Sequence, residues 1–293
     1  VCSSDLNRAA GGDKGIVPAD CQALTLGADV GGRQIHWVLT AWRPGMIGHV
    51  VDYGVHTVNS PMTGKLTAEH NRAAVEAAVQ TALLELADAM KEGLPQEGAE
   101  KPRTLDLALV DCGWQDKAVY GFCAAQGGRW RPCKGFGTGQ RLAYRPPNKQ
   151  AKDRLVGNNW CQMFQHSDRI WLYHVNSDFW KLSVQNGFLL PPDRAGALTL
   201  FGTDPFVHQT FARHICAERW IREFVPGKGT KEYFTVESKQ NHWLDALHYA
   251  TVAASILGLR VVESAAAVTT GARPAGKVSL AERQRASRER RNG

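Results

Sequence analysis

Three aspartates interrupt stretches that are otherwise apolar. Asp29 ends a run through Leu24, Leu26, Gly27 and Ala28, and Asp111 ends a run from Leu105 to Val110. Asp245 stands between Leu244 and Ala246 in a segment apolar on most faces, with Leu247, Ala250, Val252, Ala253, Ile256 and Leu257 following. A carboxylate in such surroundings has to be hydrogen-bonded, ion-paired or bound to a cation. Any fold for this chain must therefore deliver polar partners to two strand ends and to the inside of one helix.

The flanking patterns say what those elements are. Residues 22–30, 35–42 and 49–58 are β-rich runs, the last two separated by Pro44-Gly45, and they predict an antiparallel meander. Residues 69–91 place Ala73, Ala77, Leu83, Leu84, Ala87 and Met90 at helical spacing and stop before Gly93 and Pro95. Further strands are expected at 105–110, 129–134, 169–175 and 233–236, and helices at 115–125, 177–186, 206–224 and 241–259. That order predicts an α/β fold with a mixed β-sheet rather than a purely parallel one.

A chain of 293 residues with 43% hydrophobic and 22% charged residues can bury a sizeable core, which excludes disorder of its bulk. No run approaches the length of a membrane-spanning helix, and the start lacks a basic-then-apolar leader, so an intracellular protein is expected. The seven cysteines include no Cys-x-x-Cys pair, which argues against a disulfide framework or a zinc knuckle. The expected organisation is a linker, disordered or truncated, over 1–20, a folded domain over 21–262 and a basic tail over 263–293. The chain opens on Val1-Cys2-Ser3-Ser4-Asp5-Leu6, which resembles a translated sequencing adapter, so a fragment of a longer gene is expected.

The net charge of +7 is unevenly spread. Residues 129–154 carry a net +7 and residues 272–293 a net +5, which leaves −5 for the remainder. In the internal segment Arg129, Arg131, Lys134, Arg141, Arg145, Lys149 and Lys152 alternate with Trp130, Phe136, Tyr144, several glycines and Pro146-Pro147. Cations interleaved with rings and flexible residues suit a loop that contacts nucleic-acid backbone and bases, against the plainer reading of a solvated charge run. For the tail the two readings weigh equally.

Carboxylates gathered from strand ends and one helix form an all-oxygen site of the kind hard divalent cations prefer. Two such ions, Mg2+ or Mn2+, at one site can serve phosphodiester hydrolysis. Each aspartate also has a plainer reading: Asp29 could shape the Gly31-Gly32 turn, and Asp111 could cap the helix that follows. Asp245 lies too far inside its helix to be a cap. His242 and His248, three residues to either side of it, read as core groups or groups that orient a ligand rather than as ligands themselves.

In order and spacing these blocks resemble the nuclease domain of the large subunit of tailed-phage terminases, of the lambda-type packaging enzymes. The resemblance is carried by Leu26-Gly27-Ala28-Asp29-Val30, Val110-Asp111-Cys112-Gly113-Trp114 with Val119-Tyr120-Gly121-Phe122, Lys134-Gly135, Ala217-Glu218, and Asn241-His242-Trp243-Leu244-Asp245-Ala246 with Tyr249-Ala250. It spans about residues 23–258, and Asn-His-x-x-Asp is its most specific block. Gly31 and Cys112-Gly113-Trp114 depart from the family's amide after the first acid and Ser-Gly-Tyr after the second, without touching a proposed ligand.

The resemblance implies an RNase H-like fold with helices on both sheet faces, and metal-binding acids at Asp29, Asp111 and Asp245. It implies a two-metal-ion DNA endonuclease that cuts concatemeric viral DNA during genome packaging, in the host cytoplasm. Double-stranded DNA, a terminase small subunit and a portal protein are the implied partners. Lys134 would then face the cleaved phosphate or remain a surface lysine, and Glu218 would be an auxiliary acid or a helix-surface ion pair. The family's ATPase motor would need a Gly-x-x-x-x-Gly-Lys-Ser/Thr loop, a pattern the 293 residues do not contain. The competing readings are another RNase H-like nuclease of the transposase or resolvase type, and a non-catalytic nucleic-acid-binding module with structural acids. A zinc hydrolase using His36, His49, His56, His242 or His248 is disfavoured, because no His-x-x-x-His or His-Glu pair occurs.

Overall fold

The structure is a computed structural model that describes residues 9, 11–59, 68–138, 143–146, 155–227 and 229–262, with 68–70 as backbone only. Its strands are β1 (Ala23–Val30), β2 (Gln34–Arg43), β3 (Ile47–Thr57), β4 (Leu107–Asp111), β5 (Trp130–Phe136), β6 (Val156–Gly157), β7 (Trp160–Gln165), β8 (Ile170–Asn176), β9 (Leu198–Leu200), β10 (Glu218–Val225) and β11 (Gly229–Val236). The helices are α1 (Ala68–Ala89), α2 (Asp116–Ala125), α3 (Ser177–Gly187), α4 (Gln209–Ile215) and α5 (His242–Ile256).

The predicted meander is present: β1, β2 and β3 pair antiparallel in sequence order. β4 then joins β1 in parallel, β5 joins β4 and β8 joins β5, also in parallel. Among the described residues the main sheet has nine strands in the order β6-β7-β8-β5-β4-β1-β2-β3-β9. A parallel pair needs a crossover, and α1 between β3 and β4 and α2 between β4 and β5 provide two of them.

Side-chain alternation splits the strands' apolar residues between two cores. Leu24, Leu26 and Ala28 of β1 pack with Val79 and Leu83 of α1 and Val119 and Phe122 of α2. On the other face Leu107 and Leu109 of β4 pack with Trp180 of α3, Phe211 of α4 and Leu244 and Leu247 of α5. Helices thus cover both faces of a mixed sheet, consistent with an RNase H-like nuclease fold. α5 lies directly on β1, where the Thr25 hydroxyl donates to the Ala250 carbonyl at 2.8 Å and receives the Trp42 indole N–H at 2.7 Å.

Two expectations are corrected. The helix predicted over 206–224 is a 3-10 turn (Pro205–His208), the short α4, and then β10, which forms a separate hairpin with β11. The apolar spacing of Val207, Phe211 and Ile215 is helical, and beyond it Gln185 caps the chain. The Gln185 side-chain amide donates to the Ile215 carbonyl at 3.0 Å and to the Glu218 carbonyl at 2.7 Å, so the chain turns at the end of α4. Residues 11–20, predicted as part of a linker, are bound to the body. Gly15 N–H donates to the Val51 carbonyl, Val17 N–H to the Pro95 carbonyl, and the Val17 side chain is buried. The tail predicted over 263–293 lies outside the described residues.

Candidate metal centre and nucleic-acid interface

The register places the acids. Ala28 pairs with Val110 across the parallel β1–β4 ladder, so Asp29 and Asp111 are the next residues on adjoining strands and lie side by side. Asp29 is two residues beyond Gly27, which faces α5, and Asp111 is two beyond Leu109 on the same side, so both carboxylates project under that helix. α5 supplies Asp245 from its first turn, where the helix dipole favours a carboxylate. The three acids predicted from sequence thus meet at one end of the central strands.

Each is held by a different partner. The Tyr249 hydroxyl donates to Asp111 Oδ1 at 2.9 Å. His242 Nδ1 lies 2.7 Å from Asp29 Oδ2. Asp245 accepts from Lys181 Nζ on Oδ1 at 2.7 Å and from the Asn241 side-chain amide on Oδ2 at 2.8 Å. Lys181 also donates to Glu218 Oε1 at 2.7 Å, and Asn241 bonds the same oxygen at 2.5 Å. Lys181, Glu218, Asn241 and Asp245 therefore form one closed network, with the lysine only 5% exposed.

The electrostatics of the group are those of an undercompensated cluster. Burial raises the Asp111 carboxyl to about 7, the Asp29 and Asp245 charges add to that, and the Tyr249 bond opposes it. Burial raises Asp29 as well, partly offset by its bond to His242. Burial alone would lower the Lys181 ammonium, but the Asp245 and Glu218 charges outweigh it and hold it above its ordinary value. His242 is raised, first by its bond to Asp29. One ammonium and one imidazole thus face four carboxylates.

A divalent cation fits this donor set. Burial is the main cause that raises Asp29 and Asp111, and neighbouring carboxylate charges add to it in both, as expected of oxygen ligands gathered with little positive charge. Asp245 has both oxygens engaged by the network, so a cation there would use its remaining lone pairs.

The auxiliary candidates divide. Glu218, expected at a helix surface, opens β10 and is buried. His248 is fully buried behind Asp245, its Nδ1 3.3 Å from the Leu244 carbonyl. Burial, and then the Lys181 charge, lowers it to about 3, which leaves it neutral. Lys181, Tyr249 and His36 enter the site although the spacing of acids does not point to them. For Lys181 a signal existed, since it shares one helical stripe with Val184 and Phe188.

Removing Lys181 gives the sharpest test of this network. Lys181→Met leaves Glu218 buried beside Asp245 without a counter-charge, and breaking a buried pair from one side costs about 3–5 kcal/mol. The expected result is a matching loss of unfolding free energy in denaturant, and a wild-type midpoint would contradict the pairing.

The basic segment is only partly in view. Arg129 and Trp130 lie where β5 begins, the end of the sheet away from Asp111, whose β5 partner is Cys133. Arg131 bonds the Gly128 carbonyl there. Lys134 is exposed, and it alternates with Cys133 and Gly135, which face α5, so it projects to the opposite face from the acids. The acids and these three cations are therefore not brought together. The segment leaves the sheet at the acid end, however. A Cβ on Gly135 would lie 3.0 Å from the Tyr249 hydroxyl, and Thr138 N–H is tied to Asp178 of α3 at 2.7 Å. Arg145 is exposed, and Arg141, Lys149 and Lys152 lie outside the described residues.

A mixed sheet with helices on both faces and carboxylates assembled at the ends of its central strands fits the nuclease class of RNase H-like proteins. The chain belongs to the family described as terminase large subunit gpA, endonuclease domain, whose model matches residues 5–266. No curated protein matches the sequence. Among the described residues no helix is long and apolar enough to cross a membrane.

Proposed function

We propose that the chain is a divalent-metal-dependent DNA endonuclease that cuts concatemeric viral DNA during genome packaging. The observation that carries this reading is the convergence of Asp29, Asp111 and Asp245 at one sheet end, within a chain of the terminase endonuclease family. Asp29, Asp111 and Asp245 would hold the Mg2+ or Mn2+ ions. Bound there, such ions supply Lewis-acid activation of water and neutralise charge at the scissile phosphate.

The chain's own residues do the positioning. Tyr249 fixes the rotamer of Asp111, and Asn241 and Lys181 fix that of Asp245. Glu218 anchors Lys181 from β10, so the hairpin strand and α5 are joined through the site. Cations of the 129–154 segment would contact DNA backbone, which gives affinity and little base preference. In the assembled packaging machine the partners would be double-stranded DNA, the terminase small subunit and the portal protein, in the host cytoplasm.

The test is incubation of supercoiled plasmid with the purified chain in Mg2+, Mn2+ or EDTA. Nicking and linearisation with either metal and none in EDTA is the expected result. Salt-sensitive binding without cutting in any metal would replace this reading by that of a nucleic-acid-binding module.

A further inference from the structure

Beside the carboxylate cluster lies a second donor set of different chemistry. Asp29 and His36 are direct partners across the antiparallel β1–β2 ladder, so their side chains share a face. α5 begins over that pair with His242, whose ring stacks on His36 with centroids 4.5 Å apart. One ligand atom from each of Asp29, His36 and His242 lies within 4.8 Å of the other two. The Trp243 N–H points to His214 Nδ1 at 3.4 Å, which assigns the proton of that third imidazole to Nε2 and leaves His214 a flanking ring rather than a donor.

We infer that Asp29, His36 and His242 form a cation site, sharing only Asp29 with the carboxylate cluster, for a late first-row transition ion of the Co2+, Ni2+ or Zn2+ type, and not for Mg2+. Two imidazole nitrogens with one carboxylate oxygen suit borderline ions, whereas Mg2+ demands oxygen ligands and keeps its waters. Three protein ligands leave a fourth position, and the His242 side chain, 38% exposed, opens it to solvent. The inward move needed is small, because the His242 to Asp29 contact is already 2.7 Å. An ion here takes His242 in place of its bond to Asp29 and competes for that carboxylate with any cation held by Asp111. The inference concerns binding alone, so it stands or falls apart from the nuclease reading.

The measurement is a Co2+ titration of the whole chain in excess Mg2+, followed by visible absorption. Wild-type protein is expected to show ligand-field bands of a low-coordinate cobalt site at one equivalent that persist in excess Mg2+, because the two imidazoles let Co2+ outcompete Mg2+ for Asp29. His36→Gln and, separately, His242→Gln should weaken Co2+ by at least about 100-fold, since even an outer partner of a ligand is worth roughly 10- to 100-fold. His242 is half-exposed, so its variant leaves the core untouched, and circular dichroism checks that both variants fold. Asp111→Asn should keep the bands, which separates this site from the carboxylate cluster. Bands equal in wild type and both histidine variants, or abolished by Mg2+, would overturn the inference. Cleavage without bands would remove this site and spare the nuclease, and bands without cleavage would do the reverse.

Discussion

Asp111→Asn is expected to abolish DNA cleavage while making the metal-free protein harder to unfold at alkaline pH. The loss of cleavage should reach at least about 1,000-fold, because a direct cation ligand is worth more than the roughly 10- to 100-fold of an outer partner. The stability change follows from the same carboxyl. Its value is raised from 3.8 to about 7 by burial and by Asp29 and Asp245. A raised acid contributes stability that is present below about pH 4 and is lost as pH rises through about 7. Asparagine cannot ionise and keeps that contribution, on the order of 4 kcal/mol, at every pH. In EDTA the melting temperatures of variant and wild type should therefore coincide near pH 4 and separate by several degrees at about pH 8, the variant being higher. Added Mg2+ should close that gap for wild type and leave the variant unmoved. A variant that cuts DNA, or melts below wild type at about pH 8, would contradict the placement of Asp111 in an undercompensated cluster.

Gly27→Ala is expected to be the most damaging Gly→Ala change among the described residues. A Cβ at Gly27 would lie 1.8 Å from the Ala246 carbonyl oxygen and 2.6 Å from the Ala250 nitrogen, both backbone atoms of α5. Neither can turn aside as a side chain can, so the whole helix must lift from β1. Overpacking typically costs about 1–3 kcal/mol, and a clash with rigid backbone places Gly27→Ala at the upper end of that range. Because α5 also carries His242, Asp245 and Tyr249, the displacement separates them from Asp29 and Asp111. A shift of about 1 Å at a reacting centre costs roughly 100-fold in rate. Denaturant unfolding and plasmid cleavage should both fall, with activity falling further than the fraction folded explains. A wild-type midpoint and wild-type cleavage would contradict the close crossing of β1 and α5.

The acids were legible because each breaks an apolar pattern, and a buried carboxylate advertises its need for partners. The meander and β4 were legible for a similar reason: their runs are mostly apolar and bounded by turn residues. What the sequence hides is identity across elements. Nothing near Lys181 reveals that its ammonium meets Glu218 and Asp245, since those residues lie on β10 and α5 and only the fold brings them to it. The 206–224 segment misleads because its helical spacing is real through Ile215, while the break beyond it depends on Gln185 of α3. His36 is silent in sequence, because its nearness to Asp29 is a matter of strand register and its nearness to His242 of how α5 crosses the sheet. The shortest strands, β6 and β9, carry no pattern long enough to read.

The central claim is that three carboxylates, assembled from two strands and one helix, make this chain a metal-dependent nuclease. Cleavage of supercoiled plasmid by wild type and Asp245→Asn, at equal folded fraction and across an Mg2+ series, tests it most directly. The account predicts Mg2+-dependent cutting by wild type that Asp245→Asn lacks at every concentration, with DNA binding retained by both. Equal cutting by the two proteins, or cutting by wild type that persists in EDTA, would contradict it.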